Sequence, residues 1–97
     1  MRARKSKDIQ AVLERKGFVL HPDKHHHQFY CLHHNGKKQA IKTYFSHGKR
    51  EYDSNLMSII KKQLKFTDTE TAERFLDCPM TKEQYIEMLV AIGHISV

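Results

Sequence analysis

The sequence predicts an α+β domain in which helices cover one face of a three-stranded antiparallel sheet. Three observations carry that expectation: two stretches with apolar residues at three- and four-residue spacing, short strand-like segments between them, and turn chemistry that joins those segments closely. Close connections force neighbouring strands to run antiparallel, and amphipathic helices must bury their apolar stripes against a sheet face. With 97 residues, 39% of them apolar and 29% charged, the chain has ordinary globular composition and room for one core.

The first helix is expected over residues 7–16, with Ser6 as N-cap, Ile9, Val12 and Leu13 on its buried stripe, and Gly17 as a left-handed stop. A strand follows over residues 18–20, Pro22-Asp23 supplies a turn, and a second strand runs over residues 26–33. Asn35 and Gly36 both accept positive φ, so they make a tight turn into a third strand over residues 38–45. Residues 46–52 read as a loop ahead of a second helix over residues 53–64, whose stripe is Leu56, Ile59, Ile60 and Leu64. Thr67 with Glu70, and Thr81 with Gln84, have capping-box spacing ahead of apolar runs, so two more short helices are expected, separated by Pro79 and ending near Gly93. No internal repeat or low-complexity linker divides the chain. Residues 1–66 form the α-β-β-β-α unit, and residues 67–97 form a helical extension packed on it.

Charge sharpens that division. The 17 Lys and Arg against 11 Asp and Glu give a net +6, with eight His besides. Residues 1–66 hold 15 basic and 5 acidic groups and residues 67–97 hold 2 and 6, so a basic unit of +10 precedes an acidic extension of −4. Such a unit calls for an anionic partner, nucleic acid foremost. No apolar run reaches the roughly 18–20 residues of a membrane span, and no hydrophobic segment follows the charges of residues 1–7, so a cytoplasmic chain without membrane association is expected. Cys31 and Cys78 show no metal-ligand spacing and sit in apolar settings, where a reduced thiol fills core space.

The densest chemistry lies in Lys24-His25-His26-His27-Gln28-Phe29-Tyr30. In a strand His25 and His27 point opposite to His26, which argues against convergence on one ion; no metal and no cofactor is expected. Two readings remain, surface histidines at a strand edge and acid–base catalysis on RNA, in which an imidazole takes the 2′-hydroxyl proton while a cation stabilises charge at the phosphate. If Phe29 and Cys31 face the helices, then His26, Gln28, Tyr30 and Leu32 face outward, with Lys42 and Tyr44 beside them. The alternation is weak here, because residues 29–32 are apolar or aromatic on both sides.

These residues resemble a known family. Over about residues 6–65 the chain is similar to HicA-type toxins, the RNA-cleaving half of a bacterial and archaeal toxin–antitoxin pair. The likeness is carried by the segment Leu13-Glu14-Arg15-Lys16-Gly17-Phe18, by His26-His27-Gln28-Phe29, by the loop holding His47, and by Leu56 to Lys61 with its Leu-x-x-Ile-x-Lys pattern. The resemblance implies a double-stranded-RNA-binding-domain-like fold and a metal-independent endoribonuclease (mRNA interferase) of a type II system. It assigns catalysis to His26. Lys24-His25 stands where the family has Gly-Ser, which makes His25 a rival. RNA contact is expected from Lys24, Gln28, Tyr30, Lys42, Tyr44, His47 and Lys61. The implied partners are RNA and a HicB-like antitoxin protein. The alternative from another class is a noncatalytic double-stranded RNA-binding module using the same basic surface. For residues 67–97 two expectations stand: the helices cover the open sheet face over Tyr30 and Leu32, or they enlarge a small core.

Overall fold

The computed structural model describes residues 1–22, 27–46, 48–77 and 79–95. Ile9, Val12 and Leu13 recur on one side of α1 (Ser6–Arg15) and all three are buried, as their spacing dictates. Gly17 then takes φ +93° and releases the chain into β2 (Phe18–Pro22). β2 pairs antiparallel with β3 (His27–His34), which pairs antiparallel with β4 (Lys37–Ser46), in the sheet order β2-β3-β4. Asn35 and Gly36, at φ +52° and +74°, form the left-handed two-residue turn that fixes the β3–β4 hairpin.

Two short elements lie outside the expected set. β1 (Arg4–Lys5) pairs antiparallel with β5 (Glu51–Tyr52), so the chain start is tied to the segment before α2 (Ser54–Gln63). This pairing corrects the role of Ser6. Its N–H donates to Arg50 O at 2.8 Å and its hydroxyl accepts from Gln10 Nε2 at 2.8 Å, so Ser6 is the first helical residue, and the cap position, Lys5, makes no side-chain capping bond. Asp53 caps α2 by accepting from the Leu56 N–H.

The helices α3 (Thr69–Leu76) and α4 (Lys82–Ala91) lie where the apolar spacing puts them, with one shift. Asp68, rather than Thr67, caps α3 by accepting from the Thr71 N–H at 2.8 Å. Thr81 and Gln84 form the full reciprocal capping box of α4.

Both extra helices join the helical layer, which overturns the expectation that they cover the open sheet face. Phe75 and Tyr85 are fully buried, with ring centroids 4.6 Å apart, and each packs on Phe66; Tyr85 also meets Phe18 on the helix side of β2. The Tyr85 hydroxyl donates to Leu64 O at 2.7 Å, just beyond α2. Lys16 is buried over the Phe75 ring and bonds Met80 O. One buried cluster therefore runs from Ile9 to Ile95. The physical reason is area: the large apolar side chains of α3 and α4 find more dry surface beside α1 and α2 than on a sheet face bearing lysines and histidines.

Charge also ties the extension down. Arg4, whose side chain is 10% exposed, donates to Glu73 at 2.7 Å and to Asp77 at 2.9 Å, and Arg2 donates to Asp77 at 2.8 Å. The Arg4 hydrogen bond holds the Asp77 carboxyl below the usual aspartate range. Asp68 is likewise held down by the Thr71 backbone N–H. A carboxyl with a depressed folded-state pKa contributes stability above its unfolded value, and that contribution is lost as pH falls through the folded one. Stability should therefore fall as pH drops below about 4. Asp77→Asn should flatten part of that fall in denaturation curves taken between neutral and acid pH; an unchanged acid dependence would remove Asp77 as a cause.

Candidate nucleic-acid interface

Register decides which side chains meet on the open face. Phe18 pairs with Leu32, Leu20 with Tyr30, Tyr30 with Thr43 and Gln28 with Phe45, so these residues share one side of the sheet. Tyr30, Leu32, Thr43 and Phe45 are buried there under the helices. The opposite side carries Val19, His21, Phe29, Cys31, Lys42 and Tyr44 through the pairs Val19–Cys31, His21–Phe29, Phe29–Tyr44 and Cys31–Lys42. A register shift between Cys31 and His33 brings His33 opposite Lys38.

Two sequence expectations are corrected by this register. Tyr30 is not an outward RNA contact: it is 1% exposed, lies edge-on to Phe45, and its hydroxyl donates to Gln10 Oε1 and Glu14 Oε1, both at 3.0 Å. Burial, reinforced by Glu14, pushes its pKa up to about 12. Gln28, opposite Phe45, shares the helix side. Tyr30 belongs inside because its hydroxyl finds partners on α1, whereas Phe29 is sheltered on the open side by neighbouring rings and lysine stems. Tyr30→Phe should cost about 1 kcal/mol of stability and leave any RNA affinity unchanged. Denaturant titration and binding anisotropy check the two halves of that statement, and a loss of affinity at full stability would return Tyr30 to the interface.

Lys42 and Tyr44 do lie on the open face, and Tyr44 is 47% exposed. The rest of that surface comes from residues that alternation alone did not select. The His21 ring stacks on Phe29 at 5.1 Å and on His33 at 5.5 Å, with His21 Nε2 3.3 Å from His33 Nε2. Phe29 meets Tyr44 at 5.6 Å, and the ammonium groups of Lys38 and Lys42 sit 5.6 and 5.3 Å from the Phe29 centroid. Four planar rings thus form a row flanked by two cations. Partial burial, then the positive charges of Lys38, His33 and Lys42, lower the His21 pKa, so this imidazole favours the neutral form.

The row rests on a rigid support. Gln63 of α2 accepts from Thr43 Oγ1 at 2.7 Å and from the Tyr44 N–H at 3.3 Å, which fixes β4 against the helix. Cys31 is buried under the row with a free thiol that donates to Gln39 O at 3.1 Å, and burial raises its pKa. Lys61 lies elsewhere: it is half-buried on α2 and donates to Thr69 Oγ1 at 3.2 Å, so it does not join Lys42 and Tyr44.

Lys24, His25, His26 and His47 lie outside the described residues, as does Cys78. His26 directly precedes His27, the first residue of β3. Among the described residues no group of three or more His, Cys, Asp and Glu is placed to hold a metal, and no helix is long and apolar enough to cross a membrane.

The fold and this face define a class: an α+β domain with one sheet face under helices and the other presenting a basic, aromatic and imidazole surface. Comparison with protein-family models, with curated proteins and with solved structures returns no match.

Proposed function

We propose that the protein is a metal-independent endoribonuclease of the HicA toxin type, which cuts messenger RNA held on the open sheet face. The observation that supports this most is the face itself, where Lys38 and Lys42 flank the rings of Phe29 and Tyr44 on the side away from the helices. Cations there offset phosphate charge, and aromatic rings suit bases. In this mechanism His26 takes the proton from a 2′-hydroxyl. That oxygen attacks the adjacent phosphorus, the bond to the leaving 5′-oxygen breaks, and a protonated imidazole or water returns a proton to it. Lys24 and Lys42 stabilise charge on the phosphate. A HicB-like antitoxin is the implied protein partner and would act by covering the same face.

The test is cleavage of RNA in excess EDTA by the wild type and by His26→Ala. Cutting without metal that depends on His26 supports the reading, and cutting only with added metal defeats it. Tight binding to duplex RNA with no product would assign the chain instead to noncatalytic double-stranded RNA-binding modules.

A further inference from the structure

The described surface has a basic cleft beside the start of α1. It has a volume of about 570 Å³ and lies between the start of α1 and the segment leading into β5. Lys5, Lys7, Lys49 and Arg50 line it from these two segments, with Glu51 as the acidic side chain in the lining. A neighbouring groove is lined by Tyr44, Lys49, Tyr52 and the α2 residues Leu56 and Ile59. Lys49 borders both, so the cleft and the exposed end of the ring row are joined by one side chain.

We infer that this cleft binds the sugar–phosphate backbone of single-stranded RNA, with an unpaired base stacked on Tyr44 and the adjoining phosphates held by Lys49, Arg50, Lys5 and Lys7. The inference rests on the ribonuclease reading only for the identity of the ligand. The order of the rings carries it. In the row His33-His21-Phe29-Tyr44 each inner ring lies against neighbouring rings, while Tyr44 stands at the end and is 47% exposed. With Tyr44 47% exposed, a planar base can be added at that end of the row. An A-form duplex keeps its bases stacked on one another and presents phosphates and 2′-hydroxyls instead, so it has no face to offer Tyr44. The strand that places a base there has its phosphates next to Lys49, and four cations drawn from two chain segments match several successive phosphate charges.

The experiment measures binding of the wild-type chain to a 2′-O-methyl oligonucleotide, which has no 2′-hydroxyl nucleophile, so affinity is read without cleavage. One adenine is replaced by 2-aminopurine, whose fluorescence reports stacking. Single strands should bind more tightly than a duplex of the same length, with a change in 2-aminopurine fluorescence. Tyr44→Ala should weaken binding about tenfold and remove the fluorescence change, while Tyr44→Phe should keep both. Lys49→Ala and Arg50→Ala should each lower the slope of log affinity against log salt by about 0.7. Equal or tighter duplex binding, full affinity in Tyr44→Ala, or an unchanged salt slope in both cleft variants would each overturn the inference. Those results would leave the ribonuclease reading intact as long as metal-free cutting still required His26. Single-strand binding of the expected kind by a chain that cuts nothing would sustain the cleft and remove the enzyme.

Discussion

His26→Ala is expected to cut RNA about 10²–10⁴-fold more slowly than the wild type in excess EDTA, the usual loss when a positioned proton-transfer group is removed. The variant should retain RNA affinity, because the charges of Lys38 and Lys42 and the ring row are untouched by it. The loss should therefore fall on the rate at saturating RNA, with little change in the concentration needed to reach it. His25→Ala is the necessary companion, since Lys24-His25 stands where the HicA-type toxins that the sequence resembles have Gly-Ser, and His25 is the nearest rival base. His21 and His33 supply a second comparison. They are two described imidazoles on the open face, and their Nε2 atoms stand 3.3 Å apart. That spacing leaves no room for a phosphate between them, so His21→Ala should weaken the ring row and lower affinity before it lowers the rate of chemistry. Undiminished cutting by His26→Ala would remove that residue from the mechanism. A full loss in His21→Ala at unchanged affinity would move the proton transfer to the His21–His33 pair.

Phe75→Ala should destabilise the whole chain by about 3–5 kcal/mol, since a fully buried aromatic side chain is lost together with the contacts that surround it. Phe75 lies in the acidic extension, yet its ring is edge-on to Phe66 at 5.3 Å and to Tyr85 at 4.6 Å, with the Lys16 ammonium 5.5 Å from its centre. For a domain of this size each kcal/mol moves the melting temperature by about 4–8 °C, so a fall of at least about 12 °C is expected. Unfolding should remain a single transition, because Phe18, Leu64 and Phe66 of the first 66 residues share their core with Phe75 and Tyr85. Two separate transitions, with the one belonging to residues 1–66 unmoved, would show that the extension is an independent cover after all. By the same packing, deleting residues 67–97 should unfold the chain rather than uncover a more avid RNA-binding unit.

The helices were the most legible part of the sequence, because three- and four-residue apolar spacing and side-chain caps are local signals. The Thr81–Gln84 capping box and the Asn35-Gly36 hairpin turn were readable for that reason. Ser6 was misread because its backbone and hydroxyl are claimed by Arg50 and Gln10 through a pair of two-residue strands too short to leave a pattern. The side of β3 that faces the core was not legible, since Phe29, Tyr30, Cys31 and Leu32 offer apolar or aromatic groups to both sides. What decides it is distant: Gln10 and Glu14 on α1 accept from the Tyr30 hydroxyl, and Tyr44 with two lysines shelters Phe29. Nothing local in the sequence marks His21 and His33 as neighbours, because they meet only once β2 and β3 pair. Lys42 and Tyr44 share a face because they stand two residues apart in β4, but strand pairing sets them beside Phe29 and Cys31, not beside Tyr30 as the sequence suggests.

The Arg2 and Arg4 pairs with Glu73 and Asp77 have a consequence for how the molecule meets a polyanion. Along the sequence the positive and negative charges are segregated, and an extended chain with that pattern would attract nucleic acid first by its basic N-terminal end. In the folded chain Arg2 and Arg4 of that end are paired with the acidic extension. The long-range pull is then set by the lysines of the sheet face and of the cleft beside α1, which lie on the surface where a ligand would stay. Folding thus turns a lopsided string of charge into an oriented field, which under the proposed function would steer an approaching strand to that surface rather than to the tail.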